Sequence, residues 1–366
     1  MKQNKAYKFR IYPDEEQKII FAKTFGSTRF IYNKMLEDKI NYYKENKQKL
    51  NNTPAQYKTE FEWLKEVDSL ALANAQMNLQ KAFTNFFTNP KSGFPKFKSK
   101  HKNRKSYTTN NQRGSITLEN GYLKLPKLVD LVKVKQHRQI PKDYIIKSVT
   151  ISQTPSGNYY ASILCEYDNQ VQAVEPKTFL GLDFSMKELY VASDNTSAEY
   201  PRYFRKSQEK LAREQRKLSK CVIGSQNRAK QRLKVAKLHE KVANQRKDFL
   251  HKLSRQIANA YDCVCIEDLD MKAMSQALNF GKSVADNGWG MFTTFLKYKL
   301  EDSGKQLIKI DKWFPSSKTC SNCGNIKENL SLSDRIYHCD YCGNTINRDY
   351  NASINIKSQG MKLVIS

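Results

Sequence analysis

Residues 339–356 read CDYCGNTINRDYNASINI, and this stretch joins two patterns that belong to different kinds of structure. The first is a cysteine pair, Cys339 and Cys342, with the spacing of a metal-binding turn. The second begins at Asp349, an acidic residue that opens a segment predicted to be the last helix. A carboxylate at a helix start is either a cap or a ligand. A metal-binding turn directly before a helix predicts an insertion into a larger α/β fold.

A second cysteine pair, Cys320 and Cys323, lies upstream of the first, with fifteen residues between Cys323 and Cys339. Two pairs at this spacing fit the four-cysteine zinc pattern. Gly324 and Gly343 follow the pairs, where a tight turn needs a backbone without a Cβ clash. Four thiolates leave no coordination position open, so the zinc is expected to be structural. A redox dithiol pair is the alternative, and two matched pairs disfavour it.

Upstream of this stretch, the order of predicted elements is that of a ribonuclease-H-like α/β domain. FLGLDF is predicted to be a buried strand and ELYVASD a second one, and a long helical region follows over residues 202–260. The strand CVCIED, a helix over residues 288–300 and the strand QLIKID come next, and DYNASINI is the final helix. In this layout the cysteine block is inserted before the last helix.

Three carboxylates fall where such a fold brings distant segments together. Asp183 lies in an apolar strand, Glu267 ends a second one and Asp349 opens the last helix. Burying an aspartate in an apolar strand is costly unless it is paired or binds a metal. Convergent carboxylates favour Mg²⁺, and two such ions support phosphodiester hydrolysis. Taken singly, each acid can also be a cap or a solvated side chain. Nearby acids are expected to be exposed: Asp268, Asp270 and Asp340.

The N-terminal half is predicted to contain helices flanked by strands. AYKFRIY is a predicted strand, and the acidic residues after Pro13 favour a helix start before an apolar helical periodicity over residues 17–43. A second helical block is predicted over residues 54–87, and strands from 115 to 167. Between them, GFPKFKSKHKNRKSY (residues 93–107) interleaves basic and aromatic residues. That composition favours contact with a nucleic-acid backbone.

The charge balance points to a polyanionic partner. The 366 residues include 63 Lys or Arg against 36 Asp or Glu, a formal net charge of +27. Residues 202–252 alone hold 17 basic and 4 acidic residues, too one-signed for ordinary pairing along a helix. A ribosomal or other basic protein is the alternative on composition. The candidate nucleic-acid contacts are Lys96, Lys98, Lys100, Arg205, Arg213, Arg216, Lys217, Arg228, Arg246 and Arg348.

Composition also bears on the compartment. The opening MKQNKAYKFR has no apolar run typical of a signal peptide, and no stretch approaches the roughly 18 apolar residues of a membrane helix. We therefore expect no membrane partner and a cytoplasmic location. Eight cysteines in such a chain favour thiols or metal ligands over disulfides.

Taken together, these motifs resemble the TnpB family encoded by bacterial and archaeal insertion sequences. The resemblance covers nearly the whole chain. It is carried by KAYKFRIYP, GSTRFIYNKML, GFPKFKSK, GYLKLPKL, GLDFSMKELYVAS, QRKDFLHKLS, IEDL, DNGWGMF, FPSSKTCSNCG and CDYCGNTINRDYNASINI. It implies a transposon-encoded RNA-guided DNA endonuclease related to the type V CRISPR effectors. Its implied partners are a guide RNA from the transposon end and target double-stranded DNA, and a prokaryotic protein would be nucleoid-associated when bound.

The resemblance also implies roles for particular segments. Asp183, Glu267 and Asp349 match the catalytic acids of a RuvC-like nuclease, and the four cysteines match a zinc ribbon. The implied domains are a wedge-type β-barrel (1–12 and 105–174), a helical recognition lobe (13–104), a RuvC-like domain (175–314 and 347–366) and a zinc-ribbon insertion (315–346). Cofactors would be structural Zn²⁺ and two catalytic Mg²⁺ ions. Ser185 departs from the glycine that many members carry there, and metal access is still expected.

Two other functions remain open at this point. One is a guide-dependent repressor that binds target DNA without cutting it, and loss of any of the three acids would favour that reading. The other is a transposition accessory protein that binds DNA without a guide RNA. All three acids are present, which favours the nuclease.

Overall fold

The structure is a computed structural model, and it describes residues 2–277, 286–331 and 333–365. The chain divides into two compact units, residues 1–170 and 171–366. The predicted domain ranges therefore include a few positions outside the described residues, at 1, 278–285, 332 and 366. No helix in the described part of the chain is long and apolar enough to cross a membrane.

The first unit contains a seven-stranded antiparallel sheet. Its strands are β1 (Lys2–Tyr12), β2 (Lys105–Asn110), β3 (Thr117–Glu119), β4 (Tyr122–Lys124), β5 (Val132–Lys135), β6 (Ile145–Gln153) and β7 (Tyr159–Asp168). They pair in the order β2-β6-β7-β1-β5-β4-β3. The sequence predicted a wedge-type β-barrel here; the structure shows a half-barrel sheet, in which the edge strands β2 and β3 do not pair within the described residues. Tyr7, Phe9 and Ile11 of the central β1 alternate into its core.

Helices in the first unit follow β1 and pack beside the sheet. They are α1 (Glu15–Asn46), the short α2 (Tyr57–Glu60), a 3₁₀ turn (Glu62–Glu66) and α3 (Ser69–Thr88). The predicted start of α1 is confirmed. The Asp14 carboxylate accepts from the backbone N–H of Gln17 at 2.8 Å, and the Gln17 side chain accepts from the backbone N–H of Asp14 at 3.2 Å.

The helical block predicted over residues 54–87 is interrupted. Val67 has an extended backbone, and the Asp68 carboxylate caps a new helix by accepting from the backbone N–H of Leu70 at 3.1 Å. Asp68 also accepts a hydrogen bond from the Thr109 hydroxyl of β2, which ties the start of α3 to the sheet. The predicted helical block is therefore present as three successive helical elements, and the cap at Asp68 sets the start of the longest one.

The second unit is built on a smaller, mixed sheet. Its strands are β8 (Phe179–Phe184), β9 (Tyr190–Ala192), β10 (Cys263–Glu267) and β11 (Gln306–Ile310). They pair in the order β11-β10-β8-β9, with β9 antiparallel to β8 and the other pairs parallel. The two strands that end in candidate acids, β8 and β10, are neighbours as predicted.

Among the described residues, the second unit also contains the helices α4 (Tyr203–Lys220), α5 (Gln226–Ala260), α6 (Met271–Ala277), α7 (Trp289–Glu301) and α8 (Arg348–Ile365). The region predicted to be one long helical stretch over 202–260 is instead a pair of helices. Gly224 turns the chain at φ +87°, and the Ser225 hydroxyl caps α5 by accepting from the backbone N–H of Arg228 at 3.1 Å.

The two faces of the small sheet have different partners. Leu182 and Ile266 point toward α5 and α7, in a core with Leu250 and Phe292. The residues that alternate with them point the other way, toward α8. A small hairpin, β12 (Ile336–His338) and β13 (Thr345–Asn347), lies between β11 and α8, and we call residues 315–346 of this segment the four-cysteine module.

Glycines allow α8 to lie very close to the sheet. A Cβ on Gly181 of β8 would overlap the backbone carbonyl oxygen of Ser353, and one on Gly360 of α8 would overlap the Cys265 sulfur of β10. Any larger side chain at either position would push the helix away. Asp183 and Glu267 lie two residues beyond Gly181 and Cys265, on the face that α8 covers.

Candidate active site

The ends of β8 and β10 bring two carboxylates side by side. Leu182 pairs with Ile266 in the parallel ladder, so Asp183 and Glu267 follow that pair on adjacent strands. Asp349 lies in the first turn of α8, which packs across both strands. Each of these three side chains is half-buried. The structure thus gathers the candidate acids at one end of the sheet.

The Asp349 carboxylate is not used as the helix cap. That role belongs to Asn347, whose side-chain oxygen accepts from the backbone N–H groups of Asp349 at 3.0 Å and Tyr350 at 3.1 Å. The alternative reading of Asp349 as an ordinary cap is therefore excluded. Its carboxylate is free for another role at the helix start.

The charges of Glu267 and Asp349 act on Asp183. Burial raises the pKa of Asp183 well above its usual range, and the negative charges of Glu267 and Asp349 raise it further. The Arg348 guanidinium opposes this shift only partly. Burial also raises the pKa of Glu267. The site therefore carries negative charge that the protein leaves uncompensated, which is the condition that a bound cation relieves.

Glu267 is oriented by a serine that sequence reasoning did not identify. The Ser316 hydroxyl donates a hydrogen bond to Oε1 of Glu267, and Ser316 is itself buried. This contact opposes the rise in the pKa of Glu267 by favouring the ionised carboxylate. Ser316 belongs to the FPSSKTC segment that leads into the first cysteine pair. Its position shortly before Cys320 was the only feature of the sequence that could have drawn attention to Ser316.

Two buried asparagines of α8 hold this segment in place. The Asn355 side chain donates to the backbone carbonyl oxygens of Ser316 at 2.8 Å and Thr319 at 2.6 Å. The Asn351 side chain donates to the Thr319 carbonyl at 2.7 Å and accepts from the backbone N–H of Ser321 at 2.9 Å. One turn apart on one helix face, these asparagines connect α8, the Glu267 contact and the four-cysteine module.

The loop after Asp183 is fixed from a different direction. The buried Asn287 donates from its side chain to the backbone carbonyl oxygens of Ser185 at 3.0 Å and Glu188 at 3.2 Å. The Ser185 hydroxyl accepts from the backbone N–H of Glu188 at 3.3 Å and closes the turn. The serine at this position therefore has a local structural role. No pattern in the sequence indicated that Asn287 would contact this loop.

The four predicted cysteines form one cluster. Their sulfurs all lie within 4.8 Å of one another, with 3.7 Å between Cys320 and Cys342 and 3.6 Å between Cys323 and Cys339. Sulfurs bound tetrahedrally at about 2.3 Å from one zinc ion would lie about 3.8 Å apart. The predicted metal cluster is therefore confirmed as a set of four convergent thiols. Among the described residues, no other group of three or more His, Cys, Asp or Glu side chains has its ligand atoms within 4.8 Å of one another.

The two halves of the cluster have the same backbone geometry. The N–H of Cys320 donates to the Asn325 carbonyl, and the N–H of Cys339 donates to the Asn344 carbonyl, both at 2.8 Å. The backbone N–H of Gly324 donates to the Cys320 carbonyl, and that of Gly343 donates to the Cys339 carbonyl, both at 2.9 Å. The φ angles of the two glycines are +79° and +72°. Both glycines therefore occupy the left-handed region, as the sequence predicted.

The basic residues expected to contact nucleic acid divide into two groups. Several are exposed on the loop before β2 or on α4: Lys96, Lys100, Arg205, Arg213, Arg216 and Lys217. Lys98 is half-buried, with its ammonium 3.8 Å from the Tyr32 ring centroid. Lys96 and Lys100 belong to the first unit and the other four to the second, and contact of any of them with a phosphate backbone stays a prediction.

Three of the predicted basic contacts are engaged inside the protein. Arg228 donates to the carbonyl oxygens of Leu218 and Cys221, each at 2.9 Å, and so closes the end of α4. Arg246 pairs with the buried Asp286 at 3.3 Å. Arg348 donates to the carbonyl oxygens of Ser331 and Asp334 and lies near Asp183. All three arginines therefore have structural roles, which their charge alone did not indicate. The acids expected to be exposed are so: Asp268, Asp270 and Asp340.

Family models match three segments of the chain. A family described as a probable transposase matches residues 162–278, and one described as the Cas12f1-like TNB domain matches residues 289–356. A helix-turn-helix family matches residues 1–48. In the structure, the segment that this helix-turn-helix family matches contains β1 and the single long helix α1.

Comparison with whole proteins covers almost the entire chain. A putative RNA-guided DNA endonuclease of Streptomyces pristinaespiralis is 34% identical, over 98% of this chain and 89% of that protein. The putative RNA-guided DNA endonuclease InsQ of Escherichia coli K12 is 31% identical, over 98% of this chain and 93% of that protein. A cryo-EM structure of a Cas12f1–sgRNA–target DNA complex superposes with a TM-score of 0.63 at 16% identity, over 97% of this chain and 99% of that one. That likeness concerns the fold.

Replacing Asp183 by asparagine should raise the thermal midpoint of the chain at neutral pH when no divalent cation is added. The folded-state pKa of Asp183 lies above its ordinary value of about 3.9, so ionisation costs free energy only in the folded state. That cost is absent below the unfolded-state pKa, grows as the pH rises toward the folded-state pKa and is constant above it. Thermal denaturation at pH 4 and pH 8 should therefore show the gain mainly at pH 8.

The control for this variant is Asp268→Asn, which removes an exposed carboxylate that pairs with Lys309 at 2.6 Å. It should leave the midpoint unchanged or lower it slightly at both pH values. An Asp183→Asn protein no more stable than wild type at pH 8 would contradict the electrostatic description of the site.

Replacing Asn355 by alanine should destabilise the second unit by about 1–3 kcal/mol, because the Ser316 carbonyl loses its side-chain donor in a buried setting and the Thr319 carbonyl keeps only the donor from Asn351. Denaturant unfolding measures this change. Ser358→Ala is the matched control on the same helix, since the exposed Ser358 hydroxyl bonds only to the Ile354 carbonyl. Its effect should stay within about 0.5 kcal/mol. Equal effects of the two substitutions would mean that Asn355 does not anchor the 316–319 segment.

Proposed function

This chain belongs to the TnpB family of transposon-encoded RNA-guided DNA endonucleases, and from that premise we propose that its second unit is a RuvC-like nuclease. In this proposal Asp183, Glu267 and Asp349 hold the catalytic Mg²⁺ ions. The observation that carries it is the convergence of three half-buried carboxylates whose negative charges act on one another without full compensation. A guide RNA and target DNA are its partners.

Magnesium suits this donor set better than softer ions do. Mg²⁺ takes oxygen ligands, keeps several waters and binds through a few carboxylates together with substrate phosphates. The ligand oxygens of the three acids are not gathered as tightly as the cysteine sulfurs. A wider set of oxygens would suit two ions better than one ion in a closed shell. When bound, such ions supply an activated water and stabilise the leaving oxygen of a phosphodiester.

The protein's own residues would prepare this chemistry in three ways. Ser316 keeps Glu267 in one orientation and favours its ionised form. Asn347 caps α8, so that the Asp349 carboxylate remains available. Asn287 fixes the loop that follows Asp183. Each is a positioning role, because none of these side chains needs to touch the reacting phosphate.

We assign the four-cysteine module a structural zinc ion. Four thiolates would complete a tetrahedral shell and leave no position for water or substrate. Asn351 and Asn355 of α8 hydrogen-bond to the first residues of the module. These residues include Ser316, which contacts Glu267. Zinc would thus act on the nuclease site through position and not through chemistry.

The proposed domain assignment follows the sequence prediction with the corrected sheet. Residues 1–12 and 105–174 would form the wedge domain, now an open half-barrel, and residues 13–104 the recognition lobe. Residues 175–314 and 347–366 would form the RuvC-like domain around the inserted module. In such a protein, base pairing between guide RNA and target reads the sequence, and the protein reads a short flanking motif. The exposed basic residues of α4 would contact phosphates.

A binding protein that does not cut is the second candidate. It would keep guide and target recognition and lose at least one acid, whereas this chain retains all three in one place. The two functions differ in one measurement, the fate of guide-matched plasmid in the presence of Mg²⁺.

Replacing Asp183 by alanine should abolish cleavage of a guide-matched plasmid while target binding persists. We expect a loss of at least ~100-fold, the upper end for residues that merely support a metal ligand. The assay purifies the RNA complex, sequences the bound RNA and offers a plasmid library with randomised flanks plus Mg²⁺. Asp268→Ala is the control, because Asp268 is an exposed acid directly after the same strand as Glu267. Intact guide-matched plasmid with the wild-type complex would refute the nuclease assignment.

Replacing Cys323 by serine should reduce the zinc content from one ion per chain toward zero and impair cleavage. It removes one of four sulfurs and leaves every carboxylate of the nuclease site in the sequence. Metal analysis and the plasmid assay measure the two effects. Cys221→Ser, at the turn between α4 and α5, should change neither. Full cleavage by zinc-free Cys323→Ser protein would refute the structural role of the module.

A further inference from the structure

A cavity of about 290 Å³ in the first unit is lined by basic residues from three different segments. Arg29 comes from α1, Lys98 and Arg104 from the loop before β2, and Lys105 from the first position of β2. Its lining contains no carboxylate. Like charges gathered in one concave site repel one another and attract an anion.

These charges are not neutralised within the described part of the chain. Neither the Arg29 nor the Arg104 guanidinium forms an ion pair or hydrogen bond with another described residue. Lys105 donates only to the neutral side chain of Gln153, at 3.0 Å. Lys98 lies over an aromatic ring and not beside an acid, and burial lowers its pKa. The cavity therefore has a positive potential that an external anion can satisfy.

The loop that carries half of these cations is held in a fixed shape. Asn33 of α1 accepts from the backbone N–H of Lys98 at 2.7 Å and donates to its carbonyl at 2.9 Å. Further along, the Asn103 side chain accepts from the backbone N–H of Ser99 at 2.6 Å. The Ser99 hydroxyl accepts from two later backbone N–H groups, so its own proton remains to be donated. The site is preformed, which lowers the cost of binding.

We infer that this cavity binds one phosphodiester group of a nucleic-acid strand. Guanidinium groups match phosphate oxygens in bidentate geometry, and the hydroxyl and lysine groups supply further donors. The volume is close to the roughly 300 Å³ at which small-ligand sites begin, enough for one phosphate and parts of its two sugars. This inference rests on the proposed function only for the identity of the polyanion, since the cavity and the nuclease site involve different residues.

The test compares the salt dependence of binding for the full-length wild type and an Arg29→Gln/Arg104→Gln variant. Two arms separate the possible sources of the phosphate: binding of the copurifying guide RNA to the RNA-free chain, and binding of flank-bearing target duplex to the RNA-loaded chain. In one arm, the Arg29→Gln/Arg104→Gln variant should give a slope of log K against log salt concentration that is smaller in magnitude by about one than that of the wild type. This is the change expected for a single phosphate contact. The arm that responds identifies the strand.

Two control pairs make the result specific. Arg29→Lys/Arg104→Lys keeps both charges and should keep most of the slope. Lys44→Gln/Arg113→Gln removes two exposed charges of the first unit that do not line the cavity, and should change the slope by less than the cavity pair. An unchanged slope in both arms, or an equal fall in the Lys44/Arg113 pair, would overturn the inference. A fall of about two would also overturn it, because two separate phosphates would then be bound.

A second measurement uses the unmodified protein, in case the glutamine pair folds poorly. Amine-reactive footprinting should show Lys105 protected several-fold in the nucleic-acid complex and Lys44 labelled equally with and without it. Equal labelling of Lys105 in both states would contradict the inference. The glutamine pair should still cleave when its complex is saturated, whereas Asp183→Ala should bind with the wild-type slope and fail to cleave. Failure of this site and failure of the nuclease assignment are thus distinguishable.

Discussion

The contact between α8 and the small parallel sheet is the constraint on which the rest of the second unit depends. Gly181 and Gly360 let helix and strands approach until a single added Cβ would overlap a carbonyl oxygen or a sulfur. That approach places Asp349, at the start of the helix, beside the ends of β8 and β10. The same helix presents Asn351 and Asn355 to the backbone of the four-cysteine module. One packing contact therefore sets the geometry of both the acids and the module.

This arrangement explains why a closed four-cysteine module lies next to a site that it does not chemically serve. The chain leaves the sheet after β11, enters the module near Ser316 and returns at Asn347 to start α8. Asn351 and Asn355 hydrogen-bond to the first residues of the module, so the segment that contacts Glu267 is tied to the helix that carries Asp349.

Much of this organisation could be predicted from residue types and spacing. The cysteine pairs with their glycines, and the acids at the ends of apolar strands, carry local patterns that determine their chemistry. Contacts made by side chains distant in sequence left no such pattern, and Ser316 on Glu267 and Asn287 on the loop after Asp183 are examples. Charge counting likewise could not separate Arg213, which is exposed, from Arg228, which closes a helix end. The sequence also did not show where helical segments are divided: a cap at Asp68 starts a new helix within the predicted block, and a left-handed turn at Gly224 divides the long helix predicted over residues 202–260.

The central claim is that Asp183, Glu267 and Asp349 together hold catalytic metal ions. Iron-mediated affinity cleavage tests it directly, because Fe²⁺ replaces Mg²⁺ at oxygen sites and, with ascorbate and peroxide, cuts the backbone close to where it binds. The account predicts cuts in three separate segments, near residues 183, 267 and 349, that excess Mg²⁺ suppresses and that Asp349→Asn weakens at all three. Cuts missing from any one of these segments, or confined to the four-cysteine module, would contradict it.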